Sequence, residues 1–524
     1  MRRWRVAGML ALAATGVVAA CTPDDDDATT ADTSAPAAGV RRDRAEAALP
    51  AIDGFVSAAM ARSGVPGIAV AVVHDDEVVF ARGYGVRDVG TQQPVSTDTV
   101  FQIASLSKPV TATAVAGLVS NGVISWDDPV HPHAPDLELS DPWITDHVTY
   151  ADLYAHRSGL PGDVGDVLEA VGFSRDEVLG RLRLVPLNPF RTSYAYTNFG
   201  MTAAGDAAAR AAGVGFEELM DEELFEPAGM TSSSVRHADF EARPDRTTLH
   251  VRIDGRWVPG PARDPDAQAP AGGVSSSVND LARWVRLQLG AGALDGVQIV
   301  GEEALRRTHV PHVVIPPGPA YDSPAQSYGL GWLVGEDHLG RLRWAHSGAF
   351  SSGASTTATL LPTEHLGVVV ITNGMPLGVP ETLADQIIDQ IVAGEQTRDW
   401  PAYWTDHFSG LYGDDPTLAT PPDPLTPALP DDAYLGSYGN DFYGRFEVIA
   451  DGEGMSVVEG PARRTFPLTH WDANTFTFVG GPLPDERARL EFTVGPDGRG
   501  SALTIPDADG LGTLRRIVET PAAP

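Results

Sequence analysis

The stretch Ala104–Ala112, ASLSKPVTA, holds the only lysine of a 524-residue chain; every other residue in the Lys plus Arg total of 37 is an arginine. Wherever a plain positive charge is enough, this sequence uses arginine, which stays protonated in a protein, whereas a desolvated lysine can shift its pKa and act as a base. Lys108 is therefore a candidate for proton chemistry. The apolar run from Ser105 to Val119, stopped at Asn121-Gly122, predicts a helix, and Ser105 and Lys108 at i and i+3 of its first turn point the same way. Serine by itself is a poor nucleophile and needs a base within hydrogen-bond reach. Ser-x-x-Lys supplies both from one turn, and the unpaired N–H groups at that helix end favour a developing oxyanion.

Outward from this point the chain alternates. A helical pattern runs from about Arg44, with Ile52, Phe55, Val56, Ala59 and Met60 on one face and Gly64 as its stop. IAVAVV and EVVFARGYG then read as a hairpin turning at His74-Asp75-Asp76. After a long helical middle, STTATLLP and LGVVVITNG read as paired strands, and a helix opens with Pro380 and closes at Gly394. This order predicts an α+β domain over 44–398 whose antiparallel sheet is assembled from both ends of the segment and flanked by helices. Residues 399–430, with PPDPLTPALPDD, read as a linker. Short strand-like runs between Gly, Pro and Asp over 431–520 predict a small all-β barrel.

The acidic balance, 70 Asp plus Glu against 37 Lys plus Arg for a net charge of −33, repels phosphate backbones and argues against a nucleic-acid partner. Cysteine occurs once, at Cys21, so no intramolecular disulfide forms. MRRWRVAGMLALAATGVVAAC has arginines at 2, 3 and 5 ahead of an apolar stretch from Val6 to Ala20, the layout of a secretory signal. Val18-Ala19-Ala20-Cys21 is similar to a bacterial lipobox, which implies a signal peptide over 1–21, a lipid on Cys21 and a polar tether over 22–43. The expected location is the outer face of the cytoplasmic membrane, held there by that lipid.

Two further stretches complete the chemistry: SYAYTNFG contributes Tyr196-Thr197-Asn198, and WAHSGAFSSG contributes His346-Ser347-Gly348. With SLSK they resemble, in chain order, the three signature boxes of the serine β-lactamase and penicillin-binding-protein superfamily, closest to its class C β-lactamase-like branch. The resemblance extends to LYAHRSGLPG, AGGVSSSVNDLARW and YGLGW, and spans about Arg44 to Gly394. It implies that Ser105 is acylated, that Tyr196 is a base reaching the Ser105 proton and the hydrolytic water, and that Lys108 keeps that base deprotonated. Whether Lys108 or Tyr196 takes the first proton stays open here. Asn198 would hold a substrate carbonyl and the lysine, His346, Ser347 and Gly348 would line the site from a strand edge, and the N–H groups of Ser105 and Ala349 would form the oxyanion hole. Histidine at 346, where many relatives have lysine, removes a permanent cation and argues against a dedicated antibiotic-destroying enzyme.

Tyr194 lacks the asparagine two residues on and reads as packing, His156 as the brace of a turn, and Gly272-Gly273 as a bend before a helix starting at Asn279 or Asp280. His131 and His133 read as turn residues, with no metal implied. The C-terminal part resembles the lipocalin-like barrel often appended to such hydrolases, on Tyr434, Gly436, Tyr438, Gly444 and His470-Trp471. The expectation is an exported serine hydrolase, without cofactor, acting on an ester, a D-amino-acid peptide or a β-lactam-like amide. The alternative is a penicillin-binding or scaffold protein of the same fold that does not turn over.

Overall fold

The computed structural model describes residues 39–317, 326–412, 418, 420–452, 454–480, 487–505 and 510–518. Cys21, the signal peptide and the tether up to residue 38 lie outside the described residues. Helix α1 (Arg42–Ser63) ends where Gly64 adopts φ +70°, as a left-handed cap requires. Strands β1 (Gly67–His74) and β2 (Glu77–Gly85) form the expected hairpin, with Asp75 and Asp76 at φ +49° and +61°, the signs of a type I′ turn. Six more strands come from the far end of the domain: β3 (Val313–Ile315), β4 (Gln326–Tyr328), β5 (Leu333–Glu336), β6 (Leu342–Phe350), β7 (Ala354–Leu361) and β8 (Leu366–Thr372). They build an antiparallel sheet in the order β2-β1-β8-β7-β6-β5-β4-β3.

Every residue of β1, β7 and β8 is buried, because both faces of the sheet are covered. Helices α1 and Val379–Val392 (α6 below) pack on one face, joined by Ile52, Val56, Leu383 and Ile387. The other face carries α2 (Ser107–Ser120), α3 (Asp166–Ala170), α4 (Asn198–Ala212) and α5 (Val278–Leu289) within the long middle segment. Helix α2 begins at Ser107 rather than Ser105, since Ala104–Leu106 forms a separate 3-10 turn. Ser277, not Asn279 or Asp280, caps α5: its side chain accepts from Asp280 N at 3.2 Å.

The segment read as a linker from 399 starts instead with helix α7 (Trp400–Tyr412), after α6 (Val379–Val392). Trp400, Trp404 and Phe408 recur at i, i+4 and i+8 and are buried together. The indole nitrogens of Trp400 and Trp404 donate to Asp389 Oδ2 at 2.7 Å and Asp385 Oδ2 at 2.9 Å on α6.

The C-terminal barrel has nine strands, β9 (Gly436–Asn440), β10 (Gly444–Ala450), β11 (Met455–Glu459), β12 (Arg464–Pro467), β13 (Thr469–Asp472), β14 (Thr475–Val479), β15 (Arg487–Val494), β16 (Gly500–Thr504) and β17 (Thr513–Arg516). Their order is β12-β11-β10-β9-β17-β16-β15-β14-β13. The two edge strands are neighbours in sequence across Leu468, so the sheet curls almost shut and leaves little open edge.

Candidate active site

Ser105 lies half-buried in the 3-10 turn and Lys108 is fully buried one turn later. Ala104, just before the serine, sits at φ +49°, a backbone conformation that a residue with a Cβ holds only when its surroundings impose it. Strand β6 imposes much of it: a Cβ on Gly348 would lie 2.1 Å from Ile103 O and 2.7 Å from Leu106 N. Only glycine lets the strand approach the nucleophile's turn this closely.

The Lys108 Nζ has three partners: Ser105 Oγ at 3.0 Å, Asn198 Oδ1 at 2.7 Å and the Ala271 carbonyl at 2.9 Å. Its nitrogen also lies 4.5 Å from the centroid of the Tyr196 ring. Thr197 caps α4, its side chain accepting from Gly200 N, which puts Asn198 in the helix's first position facing the lysine. His156, at φ +57°, ties down the Tyr196 segment from both sides: its carbonyl accepts from Ala195 N at 2.9 Å and its Nδ1 from Thr197 N at 3.2 Å. The reading of His156 as a brace thus matches its contacts, and Tyr194 packs against Tyr328 with 5.6 Å between ring centroids.

Alternation along β6 divides the third box between two faces. His346 points toward the site, its Nε2 2.9 Å from the Tyr328 hydroxyl. Ser347 points to the α6 face, toward Glu381, and its Oγ donates to Thr357 Oγ1 at 3.1 Å. The Ser347 side chain therefore does not line the site, contrary to the expectation from the box, and Ala349 shares its face of the strand. Gly348 and Phe350 face the nucleophile's turn and Gly272.

Burial sets the electrostatics. It lowers the Lys108 amine to about 7, against the pull of Asp166 and Asp163 in the other direction. The Tyr196 phenol, buried without a complete hydrogen bond, is pushed well above its ordinary range by burial, with the Ser105 hydroxyl a smaller opposing influence. The expectation of a phenol lowered by a neighbouring ammonium is thus reversed, because desolvation disfavours both the phenolate and the ammonium. His346 and His156 are held well below the usual histidine range by burial and by Lys108, so both are neutral.

Two contributors escaped the motifs. The Ala271 carbonyl carries no side-chain signature, although it sits on the helical turn Ala269–Gly272 just before the Gly272-Gly273 pair. Asp166, 2% exposed, accepts from Asn198 Nδ2 at 2.9 Å; its regular i, i+3 spacing with Asp163 and Glu169 was the one available signal. His133 does not approach the site: its Nδ1 meets the Tyr150 hydroxyl at 3.0 Å.

Comparison with known proteins places the chain in a family. The family model described as Beta-lactamase matches residues 52–393, and a domain of unknown function, DUF3471, matches residues 420–514. Unguisins hydrolase ungD of Aspergillus violaceofuscus is 26% identical, over 86% of this chain and 87% of its own length. D-alanyl-D-alanine-carboxypeptidase/endopeptidase AmpH of Escherichia coli is 25% identical, over 66% of this chain and 89% of its own. The octameric penicillin-binding protein homologue from Pyrococcus abyssi shares the fold at a TM-score of 0.59 and 22% identity, across 87% of this chain and 97% of that one. A match over more than half of the sequence, covering the residues that gather around Lys108, makes this chain a member of the Beta-lactamase family.

Proposed function

We propose that the protein is a serine hydrolase in which Lys108, as a neutral amine, is the base that activates Ser105. One observation carries this reading: the three partners of Nζ. A neutral amine has two N–H bonds and one lone pair. Asn198 Oδ1 and the Ala271 carbonyl can only accept, so they take both N–H bonds. The lone pair is left facing Ser105 Oγ, 3.0 Å away, within the reach a general base needs.

As Oγ bonds to the acyl carbon, its proton passes to Nζ and the carbonyl electrons move onto oxygen, toward the N–H groups of Ser105 and Ala349. Collapse breaks the bond to the leaving group. The neutral Tyr196 phenol gives that group a proton and regains one from the Lys108 ammonium. Water then attacks the acyl-serine, its proton taken by the restored amine, and Ser105 is released.

The activities named for its relatives, unguisins hydrolase and D-alanyl-D-alanine carboxypeptidase/endopeptidase, support a peptide amide as substrate. Neutral His346 offers no fixed cation to a β-lactam carboxylate, which weighs against a dedicated β-lactamase. The test is a panel of D-alanyl peptides, short acyl esters and a cephalosporin, with mass detection of acylated Ser105 and Lys108→Arg as control. Turnover of the peptides is expected, and Lys108→Arg should remain folded but lose about 100-fold or more of the rate, since loss of a general base costs that much. A variant retaining more than about a tenth of the rate would overturn the role of the lysine. A stable adduct without turnover would favour the penicillin-binding alternative.

A further inference from the structure

The barrel grips one short element of the hydrolase domain. Helix α3 has five residues, too few for a helix to hold itself together. Its end is fastened from the barrel side: Arg464 Nη1 donates to Ala170 O at 2.7 Å, and Ala462 N donates to Val171 O at 3.3 Å. The backbones touch so closely that a Cβ on Gly460 would lie 2.2 Å from Val171 O, and one on Gly172, at φ +98°, 2.6 Å from Ala462 Cβ. Phe173 is buried there as well, 3.1 Å from where a Cβ on Gly444 would stand.

At the opposite end of α3 is Asp166. Its Oδ2 holds Asn198 Nδ2 at 2.9 Å, and Asn198 Oδ1 in turn holds Lys108 Nζ at 2.7 Å. Among the described residues Asp166 Oδ1 has no hydrogen-bond partner, so the bond from Oδ2 to the amide is what ties this side chain to the site. That bond tells the two ends of the Asn198 amide apart. Without it, a half-turn of the amide would set two N–H groups against the lysine, and the lone pair of Nζ would have no fixed direction.

We infer that the C-terminal barrel is a clamp on α3 and that Asp166 is a positioning residue, fixing the Asn198 amide so that Lys108 faces Ser105. This rests on the reading of Lys108 as the base. Burial and the neighbouring Asp163 and Glu169 push the Asp166 carboxyl well above the usual carboxylate range, and an amide oxygen in its place keeps the acceptor that Asn198 Nδ2 needs.

A single lysine makes the test direct, because 13C-ε-lysine labelling of the full chain gives one side-chain signal whose titration is read without any substrate. Asp166→Leu should lower kcat by about tenfold or more, the scale of a buried amide losing its acceptor, and should move the lysine titration to lower pH. Asp166→Asn, which keeps an acceptor oxygen, should restore both. Arg464→Met, far from the reacting atoms, should move both in the direction of Asp166→Leu. Wild-type titration and kcat in Asp166→Leu, or damage in Asp166→Asn equal to it, would overturn the role of the aspartate. No effect of Arg464→Met would overturn the clamp, and that variant also carries the test should Asp166→Leu not fold. A wild-type protein without turnover would sink the hydrolase reading, yet the lysine titration would still decide the inference.

Discussion

Lys108 is held by acceptors that leave its amine one useful direction, and this makes its protonation state decisive. As an ammonium it donates all three protons, and Ser105 Oγ can then only accept from it. Catalysis therefore needs the neutral form, so kcat/KM should rise about tenfold per pH unit up to about pH 7 and level off above it. Stability carries the matching sign. The folded-state value, about 7, lies below the ordinary 10.5, so the cost of burying this lysine is complete below pH 7 and is relieved as pH rises from 7 to 10.5. Activity across a pH series checks the first statement; an ascending limb near pH 10 in place of pH 7 would show that Lys108 is not held neutral by burial and would overturn its role as the base. The sequence made Ser105, Lys108, Tyr196 and Asn198 visible because each is a reactive type at a telling spacing, and the structure brings all four together. Ala271 was invisible since a backbone oxygen leaves no trace in residue type. Asp166 left only its spacing with Asp163 and Glu169, a weak trace because one carboxylate in an acidic chain stands out only when its partner is known.

Strand β6 shows how far an element's pattern can be read. The three-residue box marked the strand, but which residue faces the nucleophile depends on register, and the pairing of Ser347 with Thr357 sends that side chain to α6. Gly348 is the position with least freedom. In Gly348→Ala the added methyl would stand 2.1 Å from Ile103 O and 2.5 Å from Thr356 Oγ1, so strand and turn must separate. A displacement of that size next to the nucleophile is expected to cost about 100-fold in kcat/KM, while the loss of stability stays within the roughly 1–3 kcal/mol of an overpacked site. Kinetics and a thermal melt on the same sample check this, and unchanged kinetics would show that the close approach is not needed. Helix α7 shows the opposite error. The proline-rich stretch after it set the reading of the whole segment, although Trp400, Trp404 and Phe408 already carried a helical spacing and Pro401 sits where a first turn tolerates it.

At the scale of the molecule, the alternation of short strands and Gly, Pro and Asp breaks was enough to foretell a β barrel, because small strands bury one face and turn often. Its grip on α3 was not, since it is made by backbone groups, glycines and one arginine whose partners lie about 290 residues away in the chain. The remaining question at this scale is how the protein is held in its compartment. Among the described residues no helix is long and apolar enough to cross a membrane. The net charge of −33 would push the chain away from an anionic lipid surface rather than adsorb it. If the lipobox-like Val18–Cys21 is processed as proposed, attachment depends on acyl chains on Cys21, whose hold comes from apolar burial at about 0.8 kcal/mol per CH₂ and is insensitive to salt. The wild-type protein should stay in the membrane pellet through a high-salt wash and come off in detergent, while Cys21→Ala should be recovered in the soluble fraction with its specific activity intact. A wild-type protein that washes off in salt, or a Cys21→Ala protein that still pellets, would overturn the lipid anchor and leave the chemistry at Ser105 untouched.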